Sequence, residues 1–258
     1  MDARDDSGSV LTQRRDGVGV ITLNMPDRRN ALTLANSDEL ARAVADCERD
    51  DTVHAIVVTG APPAFCAGAD LTALGEAKED GLRAIYAGFL AVAQCSLPTI
   101  AAVGGAAVGA GLNLALACDV RLAGPRAKFD ARFLRIGIHP GGGMTWMLQR
   151  LVGPQTASAM TLLGTVLGAD EAVRTGLAWQ TVPGEHEELV DAAVALATPA
   201  AQAPRALLAS TKRTMRTTSG ISEHAAAVEI ELAAQLASMD SPEFAERVAA
   251  MRAKISGR

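Results

Sequence analysis

The stretch Pro98–Asp119, PTIAAVGGAAVGAGLNLALACD, constrains the fold more than any other part of this chain. It reads as a short buried strand from Thr99 to Val103, a tight glycine turn and then a hydrophobic helix. Glycines at 104, 105, 109 and 111 let the backbone approach a neighbour closely and take conformations that a Cβ forbids. The helix that follows begins with unpaired N–H groups and the positive end of its dipole, both aimed at whatever occupies the turn. The pattern predicts a cradle in which backbone, rather than side chains, holds a polar or anionic group.

The rest of the chain can enclose such a cradle. Its 258 residues are 49% hydrophobic, enough for one large core, yet only 3% are aromatic. The core is therefore expected to be filled by Ala, Val, Leu and Ile, in closely packed helices and in faces buried between subunits. A net charge of −5 and the lack of basic runs argue against nucleic acid as a partner. No apolar run reaches membrane-spanning length, and the acidic start MDARDDSGS has no signal-peptide pattern, so a cytoplasmic location is expected. Cys47, Cys66, Cys95 and Cys118 lack metal-ligand spacing and read as reduced packing residues; no metal is expected.

In chain order, residues 1–8 are expected to be disordered. Val10–Arg15 and Val18–Asn24 flank Asp16-Gly17, a hairpin signal. A polar loop from Met25 to Leu32 leads to an amphipathic helix over Ser37–Asp50, then to the strand HAIVVT and the loop APPAFCAGAD. A broken helix is predicted from Asp70 to Ser96. After the central stretch come strands at Val120–Ala123 and Ala127–Asp130, then a loop over residues 131–143. From Met144 onward the reading is helical, with breaks near 153 and 164. Strands are thus expected only in the first half, in repeated strand-strand-helix units, and helices in the last sixty residues.

Two loops share one design of apolar strand, small residues and helix start: Phe65-Cys66-Ala67-Gly68-Ala69-Asp70-Leu71 and Val108-Gly109-Ala110-Gly111-Leu112-Asn113. Two such turns can converge two backbone N–H groups on one oxygen, the arrangement that stabilises charge developing on a carbonyl. The same glycines also serve a second purpose, since tight strand-to-helix turns need them whatever the function.

These motifs, together with Pro26–Leu32, Pro98–Gly105, Ala117-Cys118-Asp119 and Pro140–Gly143, occur in order over nearly the whole chain, which in this respect resembles the enoyl-CoA hydratase (crotonase) superfamily. The resemblance implies an α/β fold, a spiral of ββα units over residues 9–196, with a helical trimerisation region over 197–258. It implies an acyl-CoA thioester as substrate, with CoA part of that substrate and no separate cofactor, and assembly as a homotrimer or a hexamer. The N–H groups of Ala69 and Ala110 match the positions that polarise the thioester; the family usually has glycine at the second, and alanine keeps the N–H while narrowing the pocket. Arg28 and Arg29 match phosphate partners of CoA. Ala31, Ala67, Asp70 and Leu71 match the adenine and pantetheine path, with Gly68, Gly109 and Gly141 also at the substrate.

The acid/base positions depart from the family pattern. Its two glutamates match Asn113 and Phe133, neither of which exchanges a proton near neutral pH. His139 and Asp130 are the remaining candidates for proton transfer, although a loop histidine before proline and a strand-end carboxylate both have ordinary structural uses. Asp119 reads as a residue that orients backbone, and Met144, Trp146 and Met147 as core or acyl-pocket wall. Two function classes follow: an enzyme that polarises an acyl thioester with a non-standard proton-transfer group, and a catalytically inactive homologue that binds acyl-CoA. A dinucleotide oxidoreductase is excluded, because Gly109-Ala110-Gly111 lacks the third glycine and an acidic ribose partner.

Overall fold

The computed structural model describes residues 8–70 and 78–256. Leu71 and residues 1–7 lie outside the described residues, as does the first part of the helix expected from Asp70. The chain divides into two compact units, the first ending at Ala201 and the second running from Gln202 to Arg258.

The first unit is built on two sheets. Strands β1 (Val10–Arg15) and β2 (Val18–Leu23) form an antiparallel hairpin. Asp16 and Gly17 both have positive φ, 51° and 78°, as the tight primed turn requires. The next strands come in pairs: β3 (Ala55–Gly60) with β4 (Ala64–Cys66), β5 (Thr99–Val103) with β6 (Ala106–Val108), and β7 (Val120–Ala123) with β8 (Lys128–Asp130). The first of each pair joins a six-stranded sheet and the second a four-stranded one. Short strands β9 (Leu167–Gly168) and β10 (Gln180–Thr181) complete the two sheets, in the order β4-β6-β8-β9 and β1-β2-β3-β5-β7-β10.

A helix follows each pair: α2 (Glu79–Gln94), α3 (Ala110–Ala117) and the single turn α4 (Phe133–Ile136). Helix α1 (Leu34–Arg49) comes earlier, and its start differs from the sequence reading by three residues. Thr33 accepts from the Asn36 N–H, and the Asn36 side chain accepts in return from the Thr33 N–H. This reciprocal cap sets the helix start. Three further expectations need correction. Part of the APPAFCAGAD loop is strand β4, part of the 131–143 loop is helix α4, and β9 and β10 put strands in the second half. Strands of two or three residues carry no periodicity; only their partners create them.

The parallel strands β3 and β5 at the centre of the six-stranded sheet are buried on both faces, as parallel strands between helices require. Ile56, Val58, Ala101 and Val103 face the larger core with α1, α2 and α3. Ala55, Val57, Ile100, Ala102 and Leu122 face Leu189, Val190, Ala193, Val194 and Ala197 of helix α5 (His186–Ala201). That helix runs on to Ala201, with Ala197 still buried against the sheet. Between β8 and this helix, residues Met144–Leu162 form one helical run broken at Gly153 (φ 74°), where the sequence has its Gly-Pro step. Residues Ala169–Arg174 form a short helix after β9. The second unit holds three helices, Arg205–Thr218, His224–Met239 and Pro242–Ser256.

All four cysteines are buried, and none forms a disulfide among the described residues. Desolvation pushes the Cys66 thiol up to about 12. Desolvation, helped by Asp46, Asp50 and Glu48, raises Cys47 to about 11. Because the thiolate is the reactive form, the native protein is expected to resist alkylation at pH 8 and to gain four labels on denaturation, as read by intact mass. A label added rapidly to native protein would contradict this burial.

Candidate functional site

The Met25–Leu32 loop is pinned first. Asn30 is fully buried in the left-handed region (φ 57°), and its amide Nδ2 donates to Ala61 O and Ala64 O, both at 2.8 Å. Its Oδ1 accepts from Met25 N at 2.9 Å. The loop so fixed is stitched to residues 67–70. Ala67 N donates to Arg29 O, Leu32 N to Gly68 O and Asp70 N to Leu32 O, at 2.7–2.9 Å. Leu32 and Ala69 thereby form a parallel bridge. In such a bridge the flanking residues face the partner chain, and the central residue's own N–H points away. The Ala69 N–H has no acceptor among the described residues.

The Ala110 N–H also has no acceptor among the described residues, for a different reason. Gly109 caps α3 with φ 52° and ψ −114°, and Ala110 is the first helical residue, so its N–H has no intrahelical acceptor. The two loops touch. A Cβ on Gly68 (φ 103°) would lie 2.7 Å from Val108 O and 3.8 Å from Ala110 N, so both its backbone twist and its surroundings demand glycine. Two N–H groups with no acceptor among the described residues, on touching backbone segments, therefore border the same space.

That space is a cavity of about 360 Å³. It brings together Ala67, Gly68, Ala69, Gly109, Ala110, Asn113, Phe133, His139 and Gly141. Asn113 is 1% exposed and its Nδ2 donates to Gly141 O at 3.0 Å. His139 is exposed at the rim. Its Nδ1 lies 2.7 Å from Pro140 O, and since a carbonyl only accepts, the ring proton sits on Nδ1 and leaves Nε2 free in the neutral form.

Other expected site residues stand outside this cavity. Asp130 is buried and held by Arg132, whose Nε and Nη2 reach its Oδ2 at 2.8 and 2.6 Å; Arg132 lines the cavity and Asp130 does not. Arg28 pairs with Asp70 at 2.6 Å, while Arg29 and Ala31 contribute backbone to the loop contacts. Asp119 orients backbone, its carboxylate accepting from Thr99 N and Oγ1 at 2.8 and 3.0 Å. Trp146 is not core: it is 58% exposed, with Arg150 stacked 3.9 Å from the ring centroid.

The sequence reading missed one wall altogether. Leu82, Ile85 and Tyr86 of α2 line the cavity, with Ile136 and Ile138 from the loop side. The spacing of Ile85, Phe89 and Val92 marks the buried face of α2, and Tyr86 stands at its edge. No described residue lining the cavity is an aspartate or glutamate.

Comparison with known proteins identifies the family. Residues 13–252 match the family model described as enoyl-CoA hydratase/isomerase. A Mycobacterium tuberculosis protein described as a "probable enoyl-CoA hydratase" is 54% identical over 250 residues, covering 93% of this chain and 96% of the relative. The 1,2-epoxyphenylacetyl-CoA isomerase of Escherichia coli is 37% identical over 196 residues, 73% of this chain and 74% of that protein. The crystal structure of an enoyl-CoA hydratase from Bacillus anthracis superposes with a TM-score of 0.88 at 27% identity, covering 96% of this chain and 97% of that one. The chain belongs to the enoyl-CoA hydratase/isomerase family of the crotonase superfamily.

Proposed function

We propose that this protein binds an acyl-CoA thioester and polarises its carbonyl between the N–H groups of Ala69 and Ala110. The observation that carries the reading is the pair of unpaired donors on touching loops at the wall of one cavity. Such preorganised donors stabilise the negative charge that develops on the carbonyl oxygen and need no reorganisation when it forms. The reading needs no cofactor, since CoA enters as part of the substrate. Arg28 and Arg29, beside the Ala67–Asp70 loop, are the cations assigned to the CoA phosphates. The apolar wall of Leu82, Ile85, Phe133 and Ile138 suits the acyl chain.

Proton transfer falls to His139, whose Nε2 is the ring nitrogen not engaged by Pro140 O at the cavity rim. His139→Ala is expected to lower turnover by about 10²–10⁴, the usual worth of a positioned acid or base, while acyl-CoA affinity changes little. A variant with unaltered turnover would remove His139 from the mechanism. Asn113 and Phe133, which line the cavity at the positions matched to the family's two glutamates, support a second reading, an acyl-CoA-binding homologue without turnover.

One experiment separates the two. Crotonyl-CoA and longer 2-enoyl-CoAs are incubated with the protein while the conjugated thioester absorbance is followed, with calorimetric titration in parallel. Binding with turnover supports the enzyme, and binding without turnover supports the second reading. No binding of any acyl-CoA would overturn both. Assembly as a trimer or hexamer through the C-terminal helices belongs to the same proposal. Leu207, Leu232, Leu236, Phe244 and Met251 are apolar and exposed in that unit, and light scattering of the full chain gives the mass.

A further inference from the structure

His139 is followed by Pro140 and three glycines, a segment with much backbone freedom to lose on folding. Its own ties run forward into the next helix, where Met144 N donates to Gly141 O at 3.3 Å and Met147 N to Gly143 O at 3.0 Å. Two other helices support it from outside. Gly141 lies against the Tyr86 phenol of α2, and Gly142 (φ 64°) is pressed between α2 and α3. A Cβ on Gly142 would stand 2.5 Å from Phe89 Cζ and 2.6 Å from Asn113 Nδ2. Asn113 closes this contact with a bond, its Nδ2 donating to Gly141 O at 3.0 Å.

The amide serves as that donor. Asn113 is 1% exposed, and its Oδ1 has no donor among the described residues. An empty buried acceptor is unfavourable, so packing alone would be better met by leucine, which branches at the same atom and leaves no polar group unpaired. A carboxylate fails at this place too, because Gly141 O only accepts and would face a second acceptor. Asparagine supplies what both lack, an N–H for the loop.

We propose that Asn113 is a positioning residue that ties the His139 loop to the helix carrying the Ala110 N–H. This rests on the proposed function above, in which Ala110 polarises the carbonyl and His139 moves the proton. Ala110 stands three residues before Asn113 on α3, and His139 two residues before Gly141. Both border one cavity but belong to separate segments, so their spacing has to be fixed by contacts between those segments. The Asn113–Gly141 bond is such a contact. Misplacing a reacting group by about 1 Å can cost on the order of 100-fold in rate. The position matched to a family glutamate has thus exchanged proton chemistry for holding the group that takes it over.

The test is a double-mutant cycle in the full-length protein, with Asn113→Leu, His139→Ala and their combination, followed on an enoyl-CoA that the wild type turns over. Asn113→Leu is expected to lower kcat by roughly 10–100-fold while acyl-CoA affinity, read by calorimetry, stays close to wild type. Added to His139→Ala it is expected to cost nothing more, because no imidazole remains to be placed. Amide hydrogen exchange gives a second readout that needs no turnover. The Met144 and Met147 amides are expected to exchange ~10-fold faster in Asn113→Leu, with α3 unchanged. Asn113→Ala removes the same donor without the bulk of leucine and is expected to behave alike. Losses that multiply in the double variant would make Asn113 a structural residue and overturn the positioning role. Unchanged exchange in both variants would overturn the tie to the loop and leave the acyl-CoA reading standing. Absence of turnover by the wild type would remove the positioning role together with the proton transfer beneath it.

Discussion

Proline at position 110 is expected to lower kcat/KM for any enoyl-CoA the protein turns over by about 10²–10³, the loss seen when one such donor is removed. The substitution is unusually selective here. Ala110 is the first residue of α3, where proline is tolerated because the missing N–H has no intrahelical acceptor in any case. Gly109, with φ 52° and ψ −114°, stays outside the α region that a following proline disfavours. The helix should therefore survive while one of the two donors disappears. Ala110→Gly keeps the N–H and is expected to retain activity. The checks are steady-state kinetics beside thermal unfolding of both variants. Activity unchanged in a folded Ala110→Pro protein would remove this donor from the mechanism.

The second large effect is structural. Gly111→Ala is expected to destabilise the fold by about 3 kcal/mol, the upper end of ordinary overpacking. A Cβ there would fall inside the Cys66 carbonyl oxygen and lie 2.8 Å from both the Cys66 carbonyl carbon and its Cβ. The obstacle is backbone on a buried strand, so no side chain can swing aside. Cys66 sits one residue before the Ala67–Asp70 loop, and any relief of the clash pushes that loop away from α3. Stability and acyl-CoA affinity are thus expected to fall together, the first read from the urea midpoint and the second by calorimetry. Loss of affinity at wild-type stability would show that Gly111 serves the ligand rather than the packing.

Part of this was legible in the chain itself. The Asp16-Gly17 turn, the strand at Thr99–Val103, the break at Gly153-Pro154 and the C-terminal helices all rest on local conformational preferences. So do the glycines before α3 and the loop at Gly68, which is why the two donor positions could be named from pattern and resemblance. Strands β4, β6, β9 and β10 were not legible. Ala64–Cys66 pairs with Ala106–Val108, some forty residues away, and three residues are too few to show a period.

The chain by itself determined the order of its ββα units and the two glycine turns, because each is stabilised within a few consecutive residues. Only the tertiary structure decided which strand of each pair enters which sheet, and which side chains share the cavity. Tyr86, Asn113 and Gly141 come from a helix, a second helix and a loop. Their meeting depends on packing and hydrogen bonds between segments dozens of residues apart, and local preference carries no record of such contacts.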